Sequence, residues 1–213
     1  MKVYKKEFVE FLLNAGALKF GDFVTKSGRN SPYFINIGDL NDGAALGKLG
    51  GFYAEAVTRE FGKDVDVLFG PAYKGIPIAV AAAAKLNEKF GVNVKYASVR
   101  KEIKGHGDAG IFVGAKLKGG EKIVIVEDVT TAGTSIRETM DALKDFNVNV
   151  LGLVVSVDRM ERGAEDKSAL KEIADTFGFK ATAIVTLDEI LKVVELSAEQ
   201  KQKVGEYRTL YGV

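Results

Sequence analysis

The segment IVIVEDVTTAGTS at positions 123–135 constrains this chain more than any other. Ile123, Val124, Ile125 and Val126 run without a polar interruption, the pattern of a strand buried on both faces of a parallel sheet. Two carboxylates, Glu127 and Asp128, follow at once. Then comes a loop of small and hydroxyl-bearing residues: Val129, Thr130, Thr131, Ala132, Gly133, Thr134 and Ser135. Residues 136–146 read as a helix, apolar at Ile136, Met140 and Leu143. Strand, acid pair, tight loop and helix in this order place a phosphate-sized anion site at a helix N-terminus, where free N–H groups and the dipole favour negative charge. The hydroxyls of Thr131, Thr134 and Ser135 add donors, and Gly133 lets the backbone approach closely. The two acids suit ribose hydroxyls or a hydrated magnesium ion, which prefers oxygen ligands. The plain alternative is a strand-to-helix connection with a capped helix, since Ser135 and Glu138 have capping-box spacing.

Other phosphate-binding patterns fail on particular residues. Gly133, Thr134 and Ser135 lack the lysine of a Walker A loop, and after the glycines at 70 and 75 stand Ile76 and Pro77 rather than Lys and Ser/Thr. No Gly-x-Gly-x-x-Gly follows a predicted strand. A net charge of +1 gives no global basic field, so neither nucleic acid nor a membrane surface is an expected partner and any anion site must be local. With no cysteine and one histidine, His106, the chain has no thiolate nucleophile and no Cys- or His-cluster metal site. No apolar run approaches the ~20 residues of a spanning helix. The first residues are charged and lack the apolar core of a signal peptide, so the expected location is cytoplasmic.

Residues 3–15 read as an amphipathic helix, followed by short extended pieces at 18–20 and 23–25, a turn-rich loop at 26–32 and a strand at 33–37. This opening predicts a small hood, formed mainly by about residues 1–40, on one domain spanning 1–213. A helix at 43–61 leads to a short buried strand at 67–69, a glycine loop at 70–75 that carries Tyr73 and Lys74, and an alanine-rich helix at 78–90. After a strand at 94–99, residues 100–110 form the most polar long loop, with Arg100, Lys101, Lys104, His106 and three glycines. A surface loop is its plain reading. A basic, glycine-rich loop beside a phosphate site also suits a closing lid. Strands at 111–117, 123–126, 150–157 and 181–185 alternate with helices at 136–146 and 170–177, and helices at 187–194 and 197–211 close the chain. Ser197 and Gln200 have capping-box spacing. The alternation predicts an α/β fold with a mainly parallel central sheet flanked by helices. Sites lie at the carboxyl ends of such strands, so the loops after Phe69, Val99, Val126 and Val157 should converge.

The central loop resembles the phosphoribosyl-diphosphate loop of the type I phosphoribosyltransferases. Other segments are similar to the orotate-specific family: residues 18–23, Lys26 to Arg29 with Ser31 to Phe34, residues 68–77, Arg100 and Lys101 with residues 104–107, and residues 158–163. Ile35 departs from the aromatic residue frequent at that place. The resemblance implies transfer of ribose 5-phosphate from phosphoribosyl diphosphate to orotate, yielding orotidine 5′-phosphate and diphosphate in de novo pyrimidine synthesis. It implies Mg²⁺ held mainly through substrate and water, with no direct protein ligand. It also implies a homodimer that shares its sites across the interface. Carried onto this chain, it makes Lys104, His106, Glu127 and Asp128 catalytic. Lys26, Phe34, Ile35, Thr131 and Arg159 would bind orotate. Lys26, Tyr73, Lys74, Arg100, Lys101, Lys104, His106 and residues 127–135 would bind phosphoribosyl diphosphate. This chemistry is consistent with the residue types. Glycosyl transfer passes through an oxocarbenium-like state that carboxylates stabilise, and cations stabilise the departing diphosphate. A guanidinium at Arg159 suits a planar carboxylate. Two alternatives are transfer to a different base and a non-catalytic nucleotide-binding regulator on the same fold.

Overall fold

A computed structural model describes residues 2–25, 28–104, 110–129, 133–163 and 166–213, apart from the side chains of 101–104 and 110. Six strands form the main sheet: β3 (Val67–Phe69), β4 (Lys95–Lys104), β5 (Gly110–Gly114), β6 (Lys122–Glu127), β7 (Asn149–Asp158) and β8 (Lys180–Thr186). Their order is β5-β4-β3-β6-β7-β8. All neighbours are parallel except the β4–β5 edge pair. β1 (Leu18–Val24) and β2 (Asn30–Ile35) make a separate antiparallel hairpin.

Side chains of β6 alternate between two cores, as the period of two along a strand requires. Val124 and Val126 join Leu68 and Val154 on the face covered by α1 (Val3–Asn14), α2 (Gly43–Phe61) and α3 (Gly75–Phe90). Ile123 and Ile125 join Val67, Phe69, Leu153 and Val155 on the opposite face, against α4 (Thr134–Leu143) and α5 (Ala169–Phe177). The uninterrupted aliphatic run at 123–126 is the mark of a strand covered on both sides. A third, smaller cluster joins Tyr33 of β2 to Leu187 of α6 (Leu187–Leu191) and Tyr207 of α7 (Ala198–Tyr211), which seats the hairpin on the C-terminal helices. α2 and α3 approach closely at Gly50, where a Cβ would lie 2.5 Å from the Ala81 carbonyl oxygen.

Three segments expected as loops or helices differ. β2 starts at Asn30, not at 33, because Ser31 pairs with Phe23 and Asn30 with Val24. Pro32, which lacks an N–H, falls opposite the register shift between Phe20 and Phe23, where no ladder bond is needed. The polar segment after Val99 is strand as far as Lys104, which pairs with Gly110. Residues 100–104 are mostly polar, so no apolar alternation marks this extension in the sequence. α3 begins at Gly75, three residues earlier than expected, and takes Pro77 into its first turn, where the missing N–H costs nothing. The capping box at Ser197 and Gln200 is present at the start of α7.

Candidate active site

The acid pair sits at the carboxyl end of β6, tied down from two sides. The Tyr53 hydroxyl of α2 donates to the Glu127 carbonyl at 2.6 Å. The Ser156 backbone N–H of β7 donates to the Asp128 carbonyl at 2.8 Å, and the Ser156 hydroxyl donates to the same oxygen. With the backbone held, the two side chains diverge. Glu127 is 5% exposed, and its Oε1 accepts the Asp128 N–H at 2.9 Å. Burial pushes its carboxyl up to about 7; the Asp128 N–H opposes the rise, the Asp128 charge adds to it, and a hydrogen bond from Ser135 opposes it. Asp128 turns outward and accepts from Lys74 Nζ at 2.8 Å. Lys74 Nζ also lies 3.4 Å from Asn36 Oδ1. Adjacent carboxyls thus occupy different electrostatic settings, one buried and one ion-paired.

Lys74 reaches Asp128 because the loop between β3 and α3 is folded tightly. A Cβ on Gly70 would fall 2.1 Å from the Gly75 carbonyl oxygen, and one on Gly75 would fall 2.9 Å from the Val126 carbonyl oxygen. Only glycine permits that approach of the loop to itself and to the end of β6. Tyr73, next to Lys74, is exposed.

Gly133 precedes α4 with φ +69°, and a Cβ there would stand 3.0 Å from the Ile173 side chain. This left-handed residue begins the helix at Thr134, so Ser135 lies inside the first turn. Its hydroxyl stands beside Glu127 and opposes the rise of that carboxyl, and the capping box with Glu138 does not form: among the described residues no side chain caps this helix start. The first-turn N–H groups therefore keep their donor capacity for an anion.

Arg159 follows β7 and is held by a cluster that no local pattern announced. Its Nε and Nη2 donate to Glu161 Oε1 at 2.8 and 2.6 Å, and its guanidinium lies 4.7 Å from the centre of the Tyr33 ring. The same Glu161 oxygen accepts from the Tyr33 hydroxyl at 3.1 Å and the Tyr207 hydroxyl at 2.8 Å. Burial pushes the Tyr33 hydroxyl well up, opposed by the Arg159 charge and reinforced by that of Glu161.

The phosphoribosyl transferase domain family matches residues 36–187. The orotate phosphoribosyltransferase of Clostridium beijerinckii is 53% identical over 222 residues, covering 100% of this chain and 99% of its own. The chain belongs to the orotate phosphoribosyltransferase family. The protein of that name from Thiobacillus denitrificans is 46% identical over 216 residues, with 100% of both chains covered. The crystal structure of the Francisella tularensis orotate phosphoribosyltransferase superposes with a TM-score of 0.87 at 39% identity, covering 97% of this chain and 100% of that one. The mainly parallel sheet flanked by helices is the fold of that family member.

Within this family frame, the structure brings Lys74, Glu127, Asp128, Gly133, Thr134 and Ser135 to the ends of β3 and β6, and Arg159 to the end of the adjacent β7. Val129 packs against the core. Phe34 is part-exposed and stacks on Phe23 at 5.4 Å, while Ile35 faces the core. The Arg100 Nε donates to the Phe112 carbonyl at 3.1 Å across the β4–β5 pair. Lys26, His106, Thr130, Thr131 and Ala132 lie outside the described residues, as do the side chains of Lys101 and Lys104. Sequence reasoning did not single out Tyr33, Tyr53, Ser156, Glu161 or Tyr207. Glu161 stands in the 158–163 segment, two residues from Arg159, but only folding shows that the two meet.

Proposed function

We propose that this chain transfers the phosphoribosyl group of 5-phospho-α-D-ribose 1-diphosphate to orotate, forming orotidine 5′-phosphate and diphosphate in de novo UMP synthesis. The observation that carries this reading is the divergent acid pair: buried Glu127 below, and Asp128 facing Lys74 across the crevice. Family membership supplies the substrates. The bond from the ribose C1 to the diphosphate oxygen breaks, a bond from C1 to a ring nitrogen of orotate forms, and the proton of that nitrogen is lost to water or the departing diphosphate. Positive charge grows on the ribosyl ring and negative charge on the leaving group. Asp128 and Glu127 hold the ribose hydroxyls and face the developing cation. Residues 130–135 cradle the 5′-phosphate at the start of α4. Lys74, half exposed and thus free to swing, exchanges Asp128 for the diphosphate when substrate enters. Lys26, Tyr73, Arg100 and Lys101 line the diphosphate. Lys104 and His106 reach it from the second subunit of a homodimer. Lys26, the backbone at Phe34 and Ile35, Thr131 and Arg159 flank orotate, and Arg159 takes its carboxylate. No nucleophilic residue is required.

Among the described residues no three His, Cys, Asp or Glu side chains cluster closely enough to hold a metal ion. The donors on offer are the acid pair, which fits a magnesium ion held chiefly by substrate oxygens and water. When bound, that ion neutralises diphosphate charge. We read the chain, 1–213, as one catalytic unit acting in the cytoplasm, with its hood formed mainly by about residues 1–40. No helix among the described residues is long and apolar enough to cross a membrane. The test is orotate absorbance in the presence of phosphoribosyl diphosphate, with and without Mg²⁺. Absorbance falls only when both are present, and uracil or a purine in place of orotate is not consumed. No loss of orotate, or equal use of uracil, overturns the reading.

A further inference from the structure

We infer that Glu161, held by Tyr33 and Tyr207, is a positioning residue that sets which edge of Arg159 meets the base, and so helps to select an anionic base. The inference rests on the reading of Arg159 as the orotate-carboxylate partner. A guanidinium can present two bidentate edges, one through Nε and one Nη, the other through both Nη atoms. Here the first edge is closed: Nε and Nη2 both point at Glu161 Oε1, at 2.8 and 2.6 Å. One planar face is covered by the Tyr33 ring at 4.7 Å. Nη2 further approaches Ser31 Oγ at 3.5 Å. The Arg159 donors to Glu161 are Nε and Nη2, and the Tyr207 hydroxyl also contacts the guanidinium, so the end of the fork at Nη1 is the edge left to meet a ligand. With the side chain 12% exposed, free rotation to another edge is closed off as well.

Glu161 can do this because it is itself fixed by elements distant in sequence. Tyr33 comes from β2 and Tyr207 from α7, and both hydroxyls bond the oxygen that takes Arg159. The backbone is pinned too. Arg162 N–H donates to the Tyr211 carbonyl at 2.7 Å, and Val213 N–H donates to the Met160 carbonyl at 3.1 Å. Asp158 Oδ1 takes the Met160 N–H at 2.8 Å, closing the turn that carries Arg159. The charge balance has the same direction. Arg29 Nη1 stands 4.0 Å from Glu161 Oε2 while its guanidinium stacks on Tyr211 at 4.7 Å. A second guanidinium thus shares the Glu161 charge, which leaves Arg159 positive charge for an anionic base rather than a neutral one such as uracil.

The experiment is steady-state kinetics of Glu161→Ala, Glu161→Gln and Tyr207→Phe, with orotate and phosphoribosyl diphosphate varied in turn and thermal melting followed in parallel. Glu161→Ala should raise the orotate KM about tenfold or more, equivalent to ~1.4 kcal/mol. The phosphoribosyl-diphosphate KM should stay within about twofold, since that ligand lies on other strands. Glu161→Gln keeps an acceptor for the fork and should recover part of the orotate KM, and Tyr207→Phe should raise it by a smaller factor than Glu161→Ala. Variants that melt like wild type but leave the orotate KM unchanged overturn the proposal. So do variants that shift both substrates equally, the signature of general loosening. A wild-type protein that consumes no orotate refutes the underlying reading instead, whatever the variants do.

Discussion

Glu127 titrates in a window that stability measurements can read. An ordinary glutamate carboxyl has the value 4.5, and burial raises that of Glu127 to about 7 in the native protein. Between these pH values the native state holds a proton that the unfolded chain has released, so stability is highest below the window and falls as pH rises through it. Glu127→Gln, which cannot ionise, should flatten that fall. Urea midpoints of wild type and variant should therefore diverge as pH rises from 4.5 towards 7, with the variant the more stable; parallel curves would remove the buried-acid assignment. Asp128 is the contrasting case. Its partner Lys74 is half exposed, and such a pair adds little stability. Asp128→Asn should melt within a degree or two of wild type, yet turn over roughly 10²-fold more slowly, because it removes charge facing the developing ribosyl cation. Full turnover in the folded variant would refute the role given to Asp128. The pairing of the two acids was plain in the sequence, since they stand together after an apolar strand. Their division into a buried and an ion-paired carboxyl was not, because it depends on Ser135, Tyr53 and Lys74 arriving from three other elements.

At the scale of elements, two helical glycines give opposite expectations. Gly50 of α2 faces α3 so closely that an added Cβ would meet the Ala81 carbonyl oxygen at 2.5 Å. Gly50→Ala must part the helices and should cost about 1–3 kcal/mol, only partly offset by the better helix propensity of alanine. Gly205 of α7 has nothing within 4 Å of its added Cβ, so Gly205→Ala should stabilise by up to ~1 kcal/mol. Urea unfolding of both variants checks the signs; a neutral Gly50→Ala would mean that α2 and α3 adjust freely. Helices and parallel strands were legible from apolar periodicity, α2 and β3 to the residue. Strands at 94–99 and 111–117 were placed as well, but the continuation of β4 to Lys104 was not, because residues 100–104 are mostly polar and carry no apolar alternation. The start of α4 was misplaced for a local reason: a left-handed Gly133 caps it without a side chain, so Ser135 is released to Glu127.

For the whole molecule, the proposed sharing of sites between subunits leads to a complementation test. Lys104→Ala removes a cation supplied to the partner's site, and Asp128→Ala disables a subunit's own acid pair. A mixed dimer has one site carrying both lesions and one carrying neither. Random pairing makes about half the dimers mixed, so refolding the two variants together should restore about a quarter of wild-type activity, given an isologous two-fold interface. Exchange is confirmed by a mass tag on one variant. Mixed dimers without recovered activity would place Lys104 in its own subunit's site or outside catalysis.

The sequence by itself determined the layered α/β architecture and singled out the 123–135 segment as the candidate anion site. Both follow from short-range patterns: continuous aliphatic runs, the period of the helices, and the order of strand, acids, glycine and hydroxyls. Family-specific segments, read by resemblance, carried the choice of base. Tertiary structure alone decided how the side chains are aimed. Lys74 meets Asp128 from 54 residues away, and Tyr33 meets Glu161 from 128 away. Such partners are fixed by strand order and by the seating of the hairpin on α7, and the hydrogen bonds that orient Arg159 form only when those distant surfaces close together.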